Sequence, residues 1–245
     1  MRLAALAALA ALALVGCESS QEKSAKIERV AKREARETAR QKALTQRSLS
    51  IAHPSSVVKV LEATVLHSGE SAAVAVVLRN TSASALRGLP IRITVRDASG
   101  ATVYTNATAG LASSLVSVPL LPAHSTSTWV DDQVQPSAAP AGVGAEVGEG
   151  ERLAGASPDI TVKAGAIEAE GGEGKVAGTV TNHSSVQERE PVVYVIARRA
   201  GRITAAGRAV VPRLQAGATQ PFQAFLIGNA QGAHAEASID GIAAG

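Results

Sequence analysis

The chain has 245 residues, 46% of them hydrophobic and 18% charged, with 22 glycines; it can fill one large or two small folded domains and is neither collagenous nor wholly disordered. Its five aromatic residues (Tyr104, Trp129, Tyr194, Phe222 and Phe225) exclude an extended platform for stacking bases or sugar rings, and its single cysteine excludes an internal disulfide and zinc sites built from paired cysteines. The net charge of +3 is unevenly placed: residues 18–50 hold nine Lys or Arg against five Glu, residues 51–245 hold fourteen against sixteen acidic residues, and Arg2 supplies the remainder. The folded part is therefore slightly acidic, and nucleic acid is not expected as a partner.

The first apolar run, Leu3 to Val15, follows a lone Arg2 and is too short and alanine-rich to span a hydrocarbon core of ~30 Å. It reads as the core of a signal peptide covering residues 1–16. Leu14-Val15-Gly16-Cys17 follows, and this tetrapeptide resembles the lipobox of bacterial lipoproteins. The resemblance implies cleavage between Gly16 and Cys17, a diacylglyceryl group on the Cys17 thiol, and a chain held on the extracytoplasmic face of the cell membrane. A thiolate suits that chemistry because it is the strongest nucleophile among the side chains. Two acyl chains at ~0.8 kcal/mol per buried methylene anchor a protein stably, whereas one is marginal. Glu18 follows the cysteine, and no Asp stands there of the kind that retains some lipoproteins on an inner membrane, so inner and outer membrane both stay open.

Residues 17–50 form the lipidated cysteine and a basic tether. From Glu18 to Ser50 there is no Pro or Gly, and the composition is rich in helix-forming Ala, Glu, Lys, Arg and Gln. Ile27, Ala31, Ala35, Ala39 and Ala43 recur every fourth residue, and Glu22–Lys26 and Glu28–Lys32 are favourable i,i+4 pairs. The stripe is mostly methyl groups, which contribute little when buried, so a solvated helical spacer of about 50 Å is expected rather than a coiled coil. Its Lys and Arg side chains can meet lipid headgroups or anionic wall polymers.

Beyond His53-Pro54 the chain turns to Val, Ala, Thr, Ser and Gly in short alternating runs, the pattern of a mainly β protein with β-sandwich domains. In Pro90 to Asp97 the residues Ile91, Ile93 and Val95 fall on one face and Arg92, Thr94 and Arg96 on the other. The pattern then repeats. Asn80-Thr81-Ser82 answers Asn182-His183-Ser184, Pro90 and Gly100 answer Pro191 and Gly201, Leu121 and Trp129 answer Leu214 and Phe222, and Ala145-Glu146-Val147 answers Ala235-Glu236-Ala237. Two tandem β-sandwich domains follow, residues 57–150 and 159–243, joined by a linker at 151–158, and they resemble the immunoglobulin-like modules of bacterial lipoproteins. The order of pieces resembles the extracytoplasmic FxLYD family, whose motif would fall on Ile93-Thr94-Val95-Arg96-Asp97 with Gly100 and on Tyr194-Val195-Ile196-Ala197-Arg198 with Gly201. Asp97 and the two glycines match it strictly. The resemblance implies an envelope module for interaction or spacing and brings no catalytic residues.

The remaining chemistry-bearing residues are scattered. His53, His67, His124, His183 and His234 stand alone, without ligand spacing, so no metal is expected. Ser113, Ser114, Ser125 and Ser127 with Asp131-Asp132 hold the letters of a hydrolase triad but no nucleophile elbow. The glutamates around Gly148-Glu149-Gly150-Glu151 and Glu168-Ala169-Glu170 lack an EF-hand loop, and Gly171-Gly172-Glu173-Gly174 reads as a hairpin turn. Asn80, Asn106 and Asn182 open Asn-x-Ser/Thr triplets that read as turns. Trp129 and Phe222 are expected in the two cores, and Phe225, three residues on from Phe222, faces the other side of its strand as the candidate contact residue. The expectation is a non-enzymatic, cofactor-free interaction or scaffolding lipoprotein, with the bilayer and an envelope protein or wall polymer as partners. The alternative is an accessory substrate-binding or wall-associated protein with a pocket between or at the ends of the sandwiches.

Overall fold

Period-two alternation dominates the sequence after Pro54, and the computed structural model is correspondingly all-β. It describes residues 49–155, 157–170 and 173–240, which belong to one compact unit, Thr45–Gly245. Gly16, Cys17, the segment expected as a signal peptide (1–16) and all but the last two residues of the expected tether (17–50) lie outside the described residues. Among the described residues there is no α-helix, and every strand pairing is antiparallel.

The first half contains β1 (Val58–Ser68), β2 (Ser71–Asn80), β3 (Leu86–Arg96), β4 (Thr102–Thr105), β5 (Ser117–Leu121), β6 (Thr126–Val134), β7 (Gly142–Val147) and β8 (Glu151–Arg152). One sheet has the order β1-β2-β6; in the other β3 is central and pairs with β4, β5, β7 and β8. The alternation read in β3 holds, since Leu89, Ile91, Ile93 and Val95 are fully buried and their neighbours are not. Trp129 lies opposite Val76, and both belong to the core packed between the sheets. Glu151–Arg152 pairs with Leu86–Arg87, so the segment expected as a linker begins inside the first half's sheet.

The second half contains β9 (Ile160–Glu170), β10 (Glu173–Asn182), β11 (Glu188–Arg189), β12 (Val192–Arg199), β13 (Arg202–Val210), β14 (Arg213–Leu214), β15 (Thr219–Gly228) and β16 (His234–Asp240). Six of these form one sheet in the order β16-β12-β13-β15-β10-β9, with β11 and β14 as a separate pair. The outer strands β16 and β9 approach each other, so the sheet is nearly closed and barrel-like where two separate sheets were expected. The cause is the junction of β13 and β15 at Ala205–Gly228 and Ala206–Ile227. A Cβ at Gly207 would sit 1.9 Å from the Phe225 carbonyl oxygen, and Gly228 adopts a φ of 112° beside the Thr204 carbonyl. Only glycine permits either approach.

The two halves carry the same hydrogen-bond motif, and each is centred on a buried asparagine. Asn80 Nδ2 donates to the carbonyls of Ser84 (2.8 Å), Leu121 (3.2 Å) and Pro122 (3.0 Å), while its Oδ1 accepts from the Ser82 N–H at 2.9 Å. Asn182 makes the same set with Val186 (2.7 Å), Leu214 (3.4 Å), Gln215 (3.2 Å) and Ser184 (3.0 Å). Each Asn-x-Ser turn thereby ties the end of β2 or β10 to the segment that closes β5 or β14.

This offset, 80 to 182, also relates Trp129's partner Val76 to Phe222's partner Gly178 and relates Leu86 to Glu188. It corrects three of the alignments read from sequence. Pro90 corresponds to Val192, not to Pro191. The β12–β13 hairpin is one residue shorter than its counterpart, and Arg96 and Arg198, an offset apart, donate to Gly100 and Gly201 respectively. The FxLYD register in the second half slips by the same residue. Val147, opposite Ile91, corresponds to Ile239, opposite Val193, so the Ala235-Glu236-Ala237 match was two residues early.

A one-residue slip exchanges the faces of a strand. Val193, Val195 and Ala197 therefore fill the second half's core, whereas Val192, Tyr194 and Ile196 pack with the first half. Across the interface β12 meets β6, while β13 and β15 meet β2, whose residues 72–78 are buried without interruption. By register, Val74, Val76 and Leu78 share the Trp129 side, leaving Ala73, Ala75 and Val77 for the second half. Polar contacts border this face: Arg198 Nη1–Glu62 Oε2 at 3.1 Å, Arg208 Nε–Asp132 Oδ1 at 2.7 Å, and Ser238 Oγ to the Thr128 carbonyl at 3.3 Å.

Replacing either asparagine by alanine strands several buried carbonyls at once. Asn80→Ala and Asn182→Ala are each expected to cost about 2–4 kcal/mol, read as a lowered urea midpoint at unchanged slope.

Candidate functional site

Where the rims of the two halves part they enclose a cavity of about 330 Å³. Its polar lining comes from both: Ser113, Ser114 and Ser117 from the first, Arg189, Glu190 and Arg208 from the second. Pro119, Val192 and Val210 add an aliphatic wall.

The serine side of the cavity is built on Asn106. This side chain is fully buried; Nδ2 donates to the carbonyls of Ile91 (2.9 Å) and Leu115 (2.8 Å), and Oδ1 accepts from the Ile93 N–H at 2.8 Å. It pins a 3-10 turn, Ser113–Leu115, against β3. Trp129 Nε1 donates to the Ser114 carbonyl at 2.9 Å and fixes the turn from the other side. The Asn106 triplet read as a turn; its role in placing the serines was not visible.

Arg208 stands on β13 opposite Tyr194, on the face turned to the first half. Its side chain is 7% exposed, with Nε donating to Asp132 Oδ1 at 2.7 Å and Nη1 to Ser114 Oγ at 2.8 Å. Asp131, the neighbour of Asp132, points the other way. Tyr104 OH donates to its Oδ2 at 3.0 Å and the Gln133 N–H to its Oδ1 at 2.9 Å. Burial pushes the Asp131 carboxyl above its ordinary pKa, opposed by these hydrogen bonds and by Arg208, while burial and then the Asp131 charge push the Tyr104 hydroxyl far up. The adjacent aspartates thus serve two different surfaces of β6, and neither works with a histidine.

All five histidines are exposed. His183 meets Thr161 Oγ1 at 2.9 Å and His234 meets Glu236 at 3.1 Å. Ser125 donates to the Pro122 carbonyl, Glu151 binds Arg87, and Glu168 binds Lys175. Among the described residues no group of three His, Cys, Asp or Glu could hold a metal ion. Phe222 is buried in the second core, and Phe225 is 68% exposed on β15 opposite Lys175.

Two features at the rim had no sequence signal. Glu190 has a φ of 50°, a left-handed conformation that costs a residue with a Cβ about 1–2 kcal/mol. Glu188, at the position held by Leu86 in the first half, is fully buried, and neither carboxyl oxygen has a hydrogen-bond partner. Burial raises its pKa from the ordinary 4.5.

No protein-family model and no curated protein matches the chain. Among solved structures it is similar to the exo-β-D-glucosaminidase CsxA, at 14% identity and a TM-score of 0.29 over 73% of this chain. The complex of Amycolatopsis orientalis exo-chitosanase CsxA with PNP-β-D-glucosamine gives 15% and 0.28. The chain spans 25% of that enzyme's length.

A carboxyl with a raised native pKa binds its proton more tightly folded than unfolded, so stability is full below the unfolded value and falls as pH rises through the raised one. Relative to Glu188→Gln, the wild-type chain is expected to lose stability as pH climbs from 4.5, with parallel curves below it. Glu188→Leu is expected to raise stability at pH 7 by about 1–2 kcal/mol. Urea titrations across pH check both.

Proposed function

We propose that the protein is a lipid-anchored extracytoplasmic lipoprotein whose paired β modules act as a non-enzymatic interaction or scaffolding unit. Cys17 carries the anchor after cleavage at Gly16, and residues 17–50 form the basic helical tether. The halves, residues 57–150 and 159–243, are tandem immunoglobulin-like modules similar to the FxLYD kind, the second drawn toward closure by its β13–β15 junction. Its partners are the bilayer and an envelope protein or anionic wall polymer.

The observation that carries this reading is the apolar face between the halves. Val192, Tyr194 and Ile196 join the first half's core cluster, so the modules form one stiff body rather than beads on a string. A stiff body on a membrane tether suits a spacer or adaptor. Phe225, exposed on a strand of that body, is the candidate contact. The cavity between the halves favours a second reading, an accessory binding protein for a small ligand, because it gathers polar groups from both modules.

Membrane fractionation of cells expressing the wild-type chain is expected to place it in the membrane fraction, and Cys17→Ala is expected to move it to the soluble extracytoplasmic fraction. Quantitative recovery of that variant in the membrane, or an unacylated mature cysteine by mass spectrometry, would falsify the anchor.

A further inference from the structure

We infer that the cavity between the halves binds a small aliphatic zwitterion, an amino acid or dipeptide whose carboxylate meets Arg208 and Arg189 and whose ammonium meets Glu190; this rests on the second, ligand-binding reading above. Arg208 carries the argument. A guanidinium has five N–H donors, and Arg208 spends only the Nε one and one on Nη1, on Asp132 and Ser114, although its side chain is 7% exposed. Both Nη2 hydrogens and the second on Nη1 meet no acceptor among the described residues. No nitrogen of Arg208 is sealed away from solvent without a partner, and Arg208 lines the cavity, so what occupies the cavity, water or a ligand, supplies the acceptor for the remaining donors. Because Asp132 and Ser114 fix the plane of the group, Nη1 and Nη2 present a set edge that matches the two oxygens of a carboxylate.

Charge narrows the class further. Asp132 balances Arg208, which leaves one cation, Arg189, and one anion, Glu190, in the lining. Neither side chain makes a hydrogen bond or ion pair among the described residues. A simple anion leaves Glu190 opposed to it and a simple cation leaves Arg189 opposed; a zwitterion answers both. The volume, about 330 Å³, lies at the small end of ligand cavities, and the lining holds no aromatic ring. Val192, Val210 and Pro119 offer a short aliphatic wall, which suits a body the size of alanine or valine.

Calorimetric titration of the full chain in detergent micelles tests this with alanyl-alanine, N-acetylalanyl-alanine and propionate as probes. Alanyl-alanine is expected to bind one site, with N-acetylation and Arg189→Gln each weakening it about tenfold. Glu190→Gln is expected to erase the difference between the acetylated and free dipeptides. Arg189 is exposed and unpaired, so its variant keeps the wild-type unfolding midpoint. Equal binding of propionate or the acetylated dipeptide, still weakened by Arg189→Gln, overturns the zwitterion and leaves a ligand-binding cavity. No binding by any probe, or binding indifferent to Arg189→Gln, overturns both.

Discussion

Two strands in this fold have no polar face, and that constraint organises the rest. Strand β2 is buried from Ala72 to Leu78 and β12 from Val192 to Ala197. A strand in a single antiparallel sandwich needs only one apolar face; a continuous apolar run needs cover on both. Each half supplies the other's second cover. Tyr194 adds most to this surface, while Ala73 and Ala75 keep the opposing strand thin enough for the sheets to approach. Burial of a Tyr or Ile side chain contributes about 1.5–3 kcal/mol, so the few large residues on this face suffice to hold the halves in one arrangement.

The all-β class, the repeat and the two core rings were legible in the sequence because each rests on local rules. Alternation in β3 needs only neighbouring residues, and Trp129 and Phe222 read as equivalent core positions because their separation from Leu121 and Leu214 is the same. What the sequence hid was parity. Pro90 and Pro191 look equivalent, yet a hairpin one residue shorter shifts the whole of β12, and a strand shifted by one residue turns its other side to the core. Val192 to Ala197 offered no warning, since with apolar residues on both faces either register is equally hydrophobic. The Asn80 and Asn182 locks, which close β2 and β10, carry the true offset.

The cavity was less legible still, for a different reason. Its serines follow Asn106, its arginines lie on β11 and β13, and the aspartate that holds Arg208 is on β6, so no window of sequence contains more than one side of it. Arg208 reads as a solvated strand residue until β13 is known to face another module. Asp131-Asp132 invites a catalytic reading because paired carboxylates are common in active sites. The strand's alternation separates them, one toward Tyr104 and one toward Arg208, and each is consumed in holding structure. Glu188 is the clearest departure from local logic. A core position that the first half fills with Leu86 holds an unpartnered carboxyl in the second, a loss of stability that the packing around it does not explain.

The position of the cavity follows from how the halves are joined. Along the apolar face the sheets touch through Tyr194 and smaller aliphatic side chains, but at its edge the first half contributes a 3-10 turn instead of a strand. A turn cannot lie flush against β12 and β13, and the space it leaves is bordered by whatever polar groups close the interface. Arg208 belongs to both features, because its Nε and Nη1 fasten the halves together while the same residue lines the gap. A ligand seated there touches both modules and neither alone. Its binding free energy therefore adds to the interface, and whatever loosens the halves weakens the ligand by the same coupling.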